Sequence, residues 1–429
     1  MELVSDLHLH SKYSRACSKD LVPEVIAKWA RMKGVHLVGT GDFTHPLWLK
    51  ELKEKLEPLG NGFYQLKPQF RDTEAGGGGP FFLLSSELSC IYSKNGKVRR
   101  IHLLLLAPSF EVVDKINVQL GWIGNLRSDG RPILGIDAKE VVKIALTSSP
   151  DAVVIPAHIW TPWFSLFGSM SGFDTVQECF EEYTPQILAI ETGLSSDPAM
   201  NWRLSQLDQI SIVSFSDAHS PRTNKFGREL TVFRLSEPTF AHMRRALDRR
   251  NPDPDNTIAA TVEFYPEEGK YHYDGHRDCK VSYAPEETVR RGGLCAVCGK
   301  KVTVGVMHRV GQLADRPEGY KPSDRPLFYS AIPLSEIIAE SIGGHGVWTK
   351  AVDTYYHGLI ETFGDELRVL RETSAKEIEA ASLPEIARGV VRVREGKARV
   401  VPGYDGEFGK VRIFGEDEPK AQAAQGVLF

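Results

Sequence analysis

The stretch Ser5-Asp6-Leu7-His8-Leu9-His10 decides how the fold of this chain is interpreted. It continues a short apolar run that begins at Glu2 and is typical of a β-strand. Alternate side chains of a strand point to the same face, so His8 and His10 are predicted to project together. Two imidazoles placed in this way can bind one transition-metal ion. The start of the chain therefore predicts a metal site at the end of a strand.

The same arrangement, an apolar run followed by a ligand-type residue, recurs over the first 220 residues. The runs are rich in Val, Ile, Leu and Phe, and we interpret them as buried strands of a parallel sheet. The later runs and their ligand-type residues are 35–40 with Asp42 and His45, 81–85 with Glu87, 100–106 with His102, 152–156 with His158, 187–190 with Glu191, and 210–215 with Asp217 and His219. An isolated histidine is usually a core residue, but this repetition favours a metal enzyme.

Amphipathic stretches separate most of these runs, at 22–32, 46–56, 137–146 and 201–209. Strands that alternate with helical patterns indicate βαβ units, and seven such units can close into a barrel. The fold class is therefore predicted to be α/β, with a (β/α)7 barrel. Active-site residues of such barrels gather at the carboxyl ends of the strands, where the ligand-type residues of this chain lie.

Composition limits the function classes. The chain has 429 residues, a hydrophobic fraction of 41% and a net charge of −4, so any contact with DNA must come from a local basic patch. The sequence contains no long apolar run and no leader pattern, so neither a membrane partner nor export is expected. Cys17, Cys90 and Cys179 are scattered and form no disulfide framework, which predicts a reducing, cytoplasmic location.

A second group of cysteines predicts a structural zinc site. His276-Arg-Asp-Cys279 is followed, after fifteen residues, by Cys295-Ala-Val-Cys298-Gly299. The Cys-x-x-Cys-Gly turn is typical of a zinc knuckle, and the His-x-x-Cys half completes a tetrahedral ligand set. A lone redox pair is the alternative, but such a pair usually opens a helix, whereas glycines and lysines flank this one.

Domain boundaries follow from these features and from the polar, proline-broken segment 251–256. Beyond the zinc module, several stretches have helical periodicity, and Ser374 with Glu377 is typical of a helix start. The basic, glycine-rich stretch 390–413 is predicted to be strand-like. The predicted division is a catalytic barrel at 1–250, a zinc-binding module at 257–320, a mainly helical, DNA-binding domain at 321–413 and a flexible tail at 414–429.

The ligand motifs together resemble those of a known superfamily. They are Asp-Leu-His-Leu-His at 6–10, Gly-Asp-Phe-Thr-His at 41–45, Ser-Glu-Leu at 86–88, Pro-Ala-His at 156–158 and Ser-Asp-Ala-His at 216–219. These motifs are similar to the metal motifs of the PHP (polymerase and histidinol phosphatase) superfamily. The resemblance implies a distorted seven-unit barrel with up to three metal ions, usually zinc or manganese.

Other segments narrow the resemblance to endonuclease Q, of the bacterial type. They are 10–15, 39–46 and the zinc module, and the resemblance extends to about residue 413. It implies an enzyme that nicks DNA on the 5′ side of deaminated bases, namely uracil, hypoxanthine and xanthine, and of abasic sites. The chain departs from the simplest PHP pattern at Phe43, where many members have a histidine, and His45 is expected to compensate.

Phosphodiester cleavage needs a nucleophile at neutral pH and neutralisation of the charge that grows on the phosphate, and clustered divalent ions supply both. We assign His8, His10, Glu87 and Asp217 to a first metal cluster and expect His8, Glu87 and Asp217 to be catalytic. The remaining metal positions are assigned to Asp42, His45, His102, His158 and His219. Glu191 is either a further ligand or a cap of the following loop. Zn²⁺ is the expected ion, with Mn²⁺ or Mg²⁺ as alternatives in the catalytic cluster.

Residues beside the metal motifs are candidates for DNA contacts. Trp160 and Trp163 directly follow His158, and aromatic rings there can stack on a base or wedge it out. Core packing of a long loop is the alternative. The candidate phosphate contacts are Lys12, Arg15, Arg222, Lys225 and Arg228. For these basic residues, an ordinary solvated surface is the alternative.

The last five residues, Gln425-Gly-Val-Leu428-Phe429, resemble the peptide that binds the bacterial sliding clamp. Leu428 and Phe429 would fill an apolar pocket, and Gln425 would bind its rim. An unstructured tail is the alternative. The paired aromatic residues expected of an archaeal-type clamp peptide are absent, so a bacterial clamp is the predicted partner.

Two other function classes stay open at this point. One is a PHP-type phosphatase that acts on a small phosphomonoester, which would need neither the zinc module nor the long C-terminal region. The other is a non-catalytic, clamp-tethered DNA-binding protein with a degenerate barrel, which would not need the nearly complete set of ligands. DNA containing deaminated bases or abasic sites is the predicted substrate.

Overall fold

The computed structural model describes residues 1–72, 79–222, 224–343 and 346–415. Its strands are β1 Glu2–Asp6, β2 Leu37–Gly39, β3 Leu56–Pro58, β4 Tyr64–Leu66, β5 Phe81–Lys94, β6 Lys97–Ala107, β7 Ile133–Leu134, β8 Val153–Pro156, β9 Ala189–Glu191, β10 Ser211–Val213, β11 Leu230–Arg234, β12 Thr257–Glu263, β13 Asp274–His276, β14 Val281–Tyr283, β15 Leu327–Ser330, β16 Arg399–Val401 and β17 Lys410–Arg412. Its α-helices are α1 Pro23–Lys33, α2 Pro46–Lys55, α3 Phe110–Gly121, α4 Ala138–Ser148, α5 Val176–Phe180, α6 Pro198–Asn201, α7 Phe240–Leu247, α8 Pro285–Arg290, α9 Val306–Leu313, α10 Leu334–Ser341, α11 Lys350–Phe363, α12 Glu366–Arg371, α13 Ala375–Ala381 and α14 Pro384–Arg394. Among the described helices, none is long and apolar enough to cross a lipid bilayer.

A mixed sheet of eleven strands dominates the described part of the chain. Its main path is β15-β12-β11-β1-β2-β5-β4-β3, while β5 also pairs with β6 and β7, and β6 pairs with β8. The parallel ribbon of β9 and β10 completes the curved wall. Ile159 N donates to Glu191 O (3.2 Å) next to β8, and Ser214 N donates to Thr231 Oγ1 (2.9 Å) next to β11. The predicted α/β barrel is confirmed in a distorted form.

The prediction of a parallel sheet is wrong for β5 and β6. β5 and β6 are antiparallel because only Asn95 and Gly96 connect them, and both have left-handed backbones, with φ of 54° and 72°. A two-residue turn of this kind joins antiparallel strands and leaves no room for a crossover helix. The reversed direction brings His102, in the middle of β6, opposite Ser89, two residues beyond Glu87.

Two further local predictions are wrong. Residues 201–209 were expected to be helical, but Ser205 N bonds to Asp315 Oδ1 (2.9 Å) and Asp208 O accepts from Arg249 Nε (3.2 Å), so these groups serve tertiary contacts. The predicted strand-like stretch 390–413 begins as helix, because α14 continues to Arg394. Other elements match, including the capping box of Ser374 and Glu377 at the start of α13.

The sheet continues past the predicted end of the barrel at residue 250. β12 pairs with β11, and β15 pairs with β12, so both belong to the central sheet. Helices α10 to α14 pack around a core of their own, which Met32 of α1 joins. A buried ion pair of Lys33 Nζ and Glu366 Oε2 (2.8 Å) fixes α1 to α12. The four-part domain division itself stays a prediction.

Candidate metal centre and DNA-facing site

Four predicted ligands meet at one edge of the barrel. His10 Nε2 lies 3.1 Å from Asp217 Oδ1 and 3.3 Å from Glu87 Oε2. His8 Nε2 lies 3.5 Å from Glu87 Oε2 and 3.6 Å from Asp217 Oδ1. Ligand atoms around a tetrahedral Zn²⁺ ion are about 3.4 Å apart, given bonds of about 2.1 Å. We call these four residues the first cluster, and their spacing fits a bound metal ion.

A second cluster shares Glu87 with the first. Glu87 Oε1 lies 2.6 Å from His102 Nδ1 and 3.1 Å from His158 Nε2, and these two nitrogens are 3.2 Å apart. Glu87 therefore presents one oxygen to each cluster, as a carboxylate that bridges two ions does. The antiparallel direction of β6 is what brings His102 to this edge.

The backbone at three predicted ligands is strained. Asp42, His158 and Asp217 have φ of 48°, 31° and 46°, in the left-handed region that non-glycine residues seldom adopt. Each such residue costs about 1–3 kcal/mol, and such residues concentrate at functional sites. Asp6 supports the loop of Asp217 because its carboxylate accepts the N–H of Ser216 (3.0 Å).

Two buried carboxylates orient the histidines of the first cluster. Glu191 Oε1 lies 2.8 Å from His8 Nδ1, and Asp42 Oδ1 lies 3.1 Å from His10 Nδ1. A carboxylate in this position fixes the imidazole and raises its basicity as a ligand. The second oxygen of Asp42 accepts from both the N–H and the hydroxyl of Ser11, each at 2.6 Å. The structure therefore places Asp42 behind His10 and outside both clusters.

His45 and His219 also lie outside the two clusters. His45 stacks on Tyr13 with ring centroids 4.4 Å apart, and its buried Nδ1 has no hydrogen-bond partner among the described residues. His219 is closer, since its ring centroid is 4.5 Å from that of His10 and its Nδ1 is 3.7 Å from Asp217 Oδ1. The ligand roles of both histidines stay predictions.

Arg131 is a site residue that the sequence analysis missed. Its Nη1 lies 2.9 Å from Glu87 Oε2, on the oxygen that faces the first cluster. The preceding Gly130 is required there, because a Cβ would lie 2.2 Å from Asp42 Oδ2. The attraction of Glu87 outweighs burial and raises the pKa of Arg131, so the guanidinium stays charged beside the clusters.

The charges of the site depend on one another. Burial lowers the pKa of His8, but nearby carboxylates, Glu191 foremost, raise it well above its ordinary value. Burial raises the pKa of Glu87, but Arg131 and His102 lower it well below its ordinary value. Burial lowers the pKa of His102 to about 4, which leaves a neutral imidazole at pH 7. The site therefore contains ionised carboxylates and the neutral imidazole of His102, which is the form that binds a metal ion.

The predicted DNA contacts differ in exposure. Trp160 is 0% exposed and donates from Nε1 to Asn201 Oδ1 (2.8 Å), so the core-packing alternative is correct for this residue. Trp163 is half-buried and meets Tyr271 edge to face at 5.5 Å. Of the predicted phosphate contacts, two form ion pairs: Lys12 with Glu51 at 2.7 Å and Arg15, whose side chain is 83% exposed, with Asp129 at 3.3 Å. Arg222 and Lys225 are exposed. Arg228 is half-buried and donates to Ser216 O at 3.3 Å.

A pocket of about 270 Å³ adjoins the clusters. Its lining includes the metal-site residues His158 and Asp217, and Leu194, Tyr271 and Phe408 from other segments. The lining therefore combines these metal-site residues with apolar and aromatic side chains and with the polar side chains of Lys270 and His272. A lining of apolar and aromatic side chains with a few polar groups is typical of ligand-binding pockets.

The predicted zinc ligands converge. One donor atom from each of His276, Cys279, Cys295 and Cys298 lies within 4.8 Å of the others, and Cys298 Sγ is 3.6 Å from His276 Nδ1. Although burial raises it, the backbone N–H groups of Cys298 and Val297 bring the pKa of Cys295 to about 7. A thiolate is the form that binds zinc, so the geometry fits the predicted site.

Known proteins match this chain in sequence, both in its C-terminal helices and over most of its length. Residues 333–397 match the model of the MJ0043 C-terminal domain family. The uncharacterised protein MJ0043 of Methanocaldococcus jannaschii is 32% identical over 310 residues, which are 69% of this chain and 37% of that protein. The chain thus spans little more than a third of that relative. The uncharacterised protein YqxK of Bacillus subtilis is 28% identical over 96% of this chain and 99% of its own length.

Two solved structures resemble nearly the whole chain. The lesion-specific endonuclease PfuEndoQ of Pyrococcus furiosus has 32% identity and a TM-score of 0.83, over 96% of this chain and 95% of its own. Endonuclease Q in complex with a 27-mer duplex substrate with an abasic lesion at the active site has the same identity and TM-score, over 97% and 98%. This chain belongs to the endonuclease Q family. The chain is accordingly an enzyme, a hydrolase of a family of endonucleases.

The similarity to endonuclease Q includes the barrel, the Cys/His cluster and the C-terminal helices, because it extends along nearly the whole chain. Two supporting residues of this endonuclease Q site, Arg131 and Glu191, differ in how far the sequence indicated them. Arg131 follows no long apolar run, and Glu191 follows a run but gives no sign of which side chain it contacts. The only indication of Arg131 in the sequence was its position after Gly130 in a polar stretch.

Proposed function

We propose that this protein is a metal-dependent DNA-repair endonuclease that hydrolyses the phosphodiester on the 5′ side of a damaged nucleotide. The proposed lesions are uracil, hypoxanthine, xanthine and the abasic site. The observation that carries the proposal is the position of Glu87, whose two oxygens face two different groups of metal ligands. The likeness to an endonuclease Q bound to an abasic-lesion duplex supports DNA as the substrate.

The donor sets fit divalent metal ions. His8 Nε2 is buried and has no hydrogen-bond partner among the described residues, although its neighbours are carboxylates at ligand distance. Nitrogen and oxygen donors suit Zn²⁺, with Mn²⁺ or Mg²⁺ as alternatives. Two ions that share Glu87 would supply an activated water and charge neutralisation on the phosphate. The chain's own contribution is to fix the donors, since Glu191 orients His8 and Arg131 binds Glu87.

The pocket beside His158 is proposed to receive the damaged nucleotide. An enzyme that reads a base inside a duplex must take it out of the stack, and a mispaired or missing base is the least costly to extrude. Tyr271 and Phe408 offer aromatic surfaces to a base, and Trp163 supports Tyr271 from one side. Selectivity for lesions then follows from the low cost of extrusion together with the fit of the pocket.

The DNA backbone is proposed to contact the exposed side chains of Arg15, Arg222 and Lys225 and the half-buried side chain of Lys12. Arg228 is half-buried and is proposed to act indirectly, by binding the carbonyl oxygen of Ser216 next to Asp217. Zinc is the proposed occupant of the His276, Cys279, Cys295 and Cys298 site. The predicted domain division and cytoplasmic location remain proposals.

The proposed bacterial sliding-clamp contact involves Gln425, Leu428 and Phe429, which lie outside the described residues. The proposal therefore rests on the sequence motif. A weak peptide contact of this kind would raise the concentration of the nuclease near clamp-loaded DNA without changing its chemistry.

The test uses end-labelled duplexes that differ at one position, which carries uracil, hypoxanthine, xanthine, an abasic site or an undamaged base. Metal-loaded protein of verified metal content should nick each damaged strand on the 5′ side of the lesion and leave the undamaged duplex intact. Glu87→Gln should not nick any of them. A phosphatase would instead release phosphate from a small monoester, and a non-catalytic protein would bind without nicking. Either of these outcomes contradicts the proposal.

A further inference from the structure

Two exposed side chains from distant parts of the chain meet at the loop that follows Asp217. The guanidinium of Arg222 lies 5.0 Å from the centre of the Trp348 ring. Arg222 is exposed and follows Asp217 in the same loop, whereas Trp348 lies just before Thr349, the N-cap of α11, and is 48% exposed. The pair therefore joins the loop of a first-cluster ligand to the C-terminal helices.

The surroundings hold this pair in place. Asn224 Nδ2 donates to Glu336 Oε1 at 3.1 Å, which ties the loop of Arg222 to α10. The side chain of Thr349, next to Trp348, accepts the N–H of Val352 at 3.3 Å and caps α11. Both side chains thus project from anchored segments, and a preorganised contact loses less entropy when a ligand binds.

Stability of the free protein does not explain an exposed tryptophan here. A cation–π contact at an exposed site contributes about 0.5–1 kcal/mol, while the exposed half of the ring still contacts water. An aromatic face next to a guanidinium matches the chemistry of single-stranded or unstacked nucleic acid, in which bases stack on rings and phosphates bind cations. The position beside the loop of Asp217 makes DNA the best-matched occupant.

We propose that Trp348 stacks on an unstacked base next to the lesion, while Arg222 binds the phosphate of the same strand. The inference rests on the proposed function and extends it, because it names a residue of the C-terminal helices that distinguishes damaged from intact duplex. A base next to an extruded nucleotide has lost a stacking partner, and Trp348 replaces that partner. Intact duplex offers no such base.

The chain offers a matched control pair. Arg371 of α12 lies over the ring of Tyr329 at 4.3 Å, and Tyr329 is 39% exposed. This second cation–π pair also joins the C-terminal helices to the barrel sheet, through β15, but it belongs to no loop that carries a first-cluster ligand. Tyr329→Ala therefore controls for the loss of an exposed aromatic side chain at the same domain contact.

The test measures single-turnover nicking of an abasic-site duplex against enzyme concentration, with undamaged duplex as competitor, using the full-length, metal-loaded protein. Trp348→Ala should raise the half-saturating concentration about 5- to 100-fold, the loss expected for one stacked base. Its affinity for undamaged duplex should change less than about twofold, and Trp348→Phe should restore most of the loss, because stacking needs an aromatic face. Arg222→Gln should weaken both duplexes alike and lower the salt-dependence slope by about one.

The inference is overturned if Trp348→Ala saturates like wild type, if it weakens intact and damaged duplex equally, if Phe fails to restore binding, or if Tyr329→Ala loses as much. Fluorescence anisotropy with the same two duplexes gives the affinities independently of cleavage. A wild-type protein that nicks no lesion contradicts the proposed function, whereas the anisotropy comparison of the variants still decides the role of Trp348.

Discussion

Glu191 Oε1 lies 2.8 Å from His8 Nδ1, and this contact turns Nε2 of His8 toward the first cluster. The second oxygen of Glu191 accepts the N–H of His158 at 2.9 Å. One buried carboxylate thus supports a ligand of the first cluster and the strained backbone of a ligand of the second. Glu191 belongs to neither cluster, and its two oxygens contact His8 and His158 rather than the loop that follows it.

Glu191→Gln should weaken metal binding at the first cluster by about 10- to 100-fold, because the amide orients His8 but no longer raises its basicity. Metal affinity is measured by calorimetric titration of metal-depleted protein, and nicking should recover at high metal concentration. Glu2→Gln, which removes an exposed carboxylate paired with Arg234 at 2.9 Å, is the matched control. Equal metal affinity of Glu191→Gln and wild type would show that the contact has no such role.

Asp217→Asn should abolish cleavage while the fold stays intact. The substitution removes an anionic donor of the first cluster, and with it the charge that favours a bound ion and an activated water. Nicking rate, metal content and thermal unfolding are measured on the same preparation. Wild-type nicking with unchanged metal content would rule out this role for Asp217.

Cys295→Ser should lower the zinc content by one ion per chain and make residues 257–320 sensitive to protease, while the barrel retains its metal. Structural zinc contributes directly to the free energy of folding, and one lost thiolate opens the site. DNA binding should weaken as well. Cys179→Ser changes a buried cysteine that belongs to none of the described ligand groups and is the control. A mutant with wild-type zinc content and protease resistance would disprove the four-residue assignment.

Lys33→Met should destabilise the protein by about 3–5 kcal/mol, because it leaves the buried carboxylate of Glu366 without its cation. Glu366 also accepts from Tyr356 Oη at 2.7 Å, so the carboxylate cannot simply move to solvent. Denaturant unfolding measures the loss. The double variant Lys33→Met, Glu366→Gln should recover part of it, and failure to do so would show that the loss comes from packing rather than from the unpaired charge.

Deletion of Gln425 to Phe429 should leave nicking of a short free duplex unchanged and abolish binding to a bacterial sliding clamp. A five-residue peptide buries little area, so the wild-type affinity is expected to be weak, about micromolar. Titration of both forms against purified clamp measures the difference. Equal affinity of the two forms would mean that the motif is only a tail.

The sequence by itself determined the features that depend on short-range spacing. His8 and His10 share a face because a strand has a period of two. The convergence of His276, Cys279, Cys295 and Cys298 was predictable because a Cys-x-x-Cys turn can bind one metal ion. The capping box at Ser374 is equally local. Apolar runs that end in ligand-type residues predicted the barrel and the edge at which the clusters lie, since strand ends gather at one edge of such a fold.

Only the tertiary structure decided which distant groups meet. The reversal of β6 at Asn95 and Gly96 brings His102 beside Glu87, and Arg131 reaches Glu87 from a loop 44 residues away along the chain. The sequence cannot distinguish a tryptophan that faces DNA from one that packs in the core. In the structure, Trp160 is buried in the core, where its Nε1 donates to Asn201 Oδ1. Spacing along the chain constrains neighbours within a few residues, whereas these contacts depend on the packing of whole elements against one another.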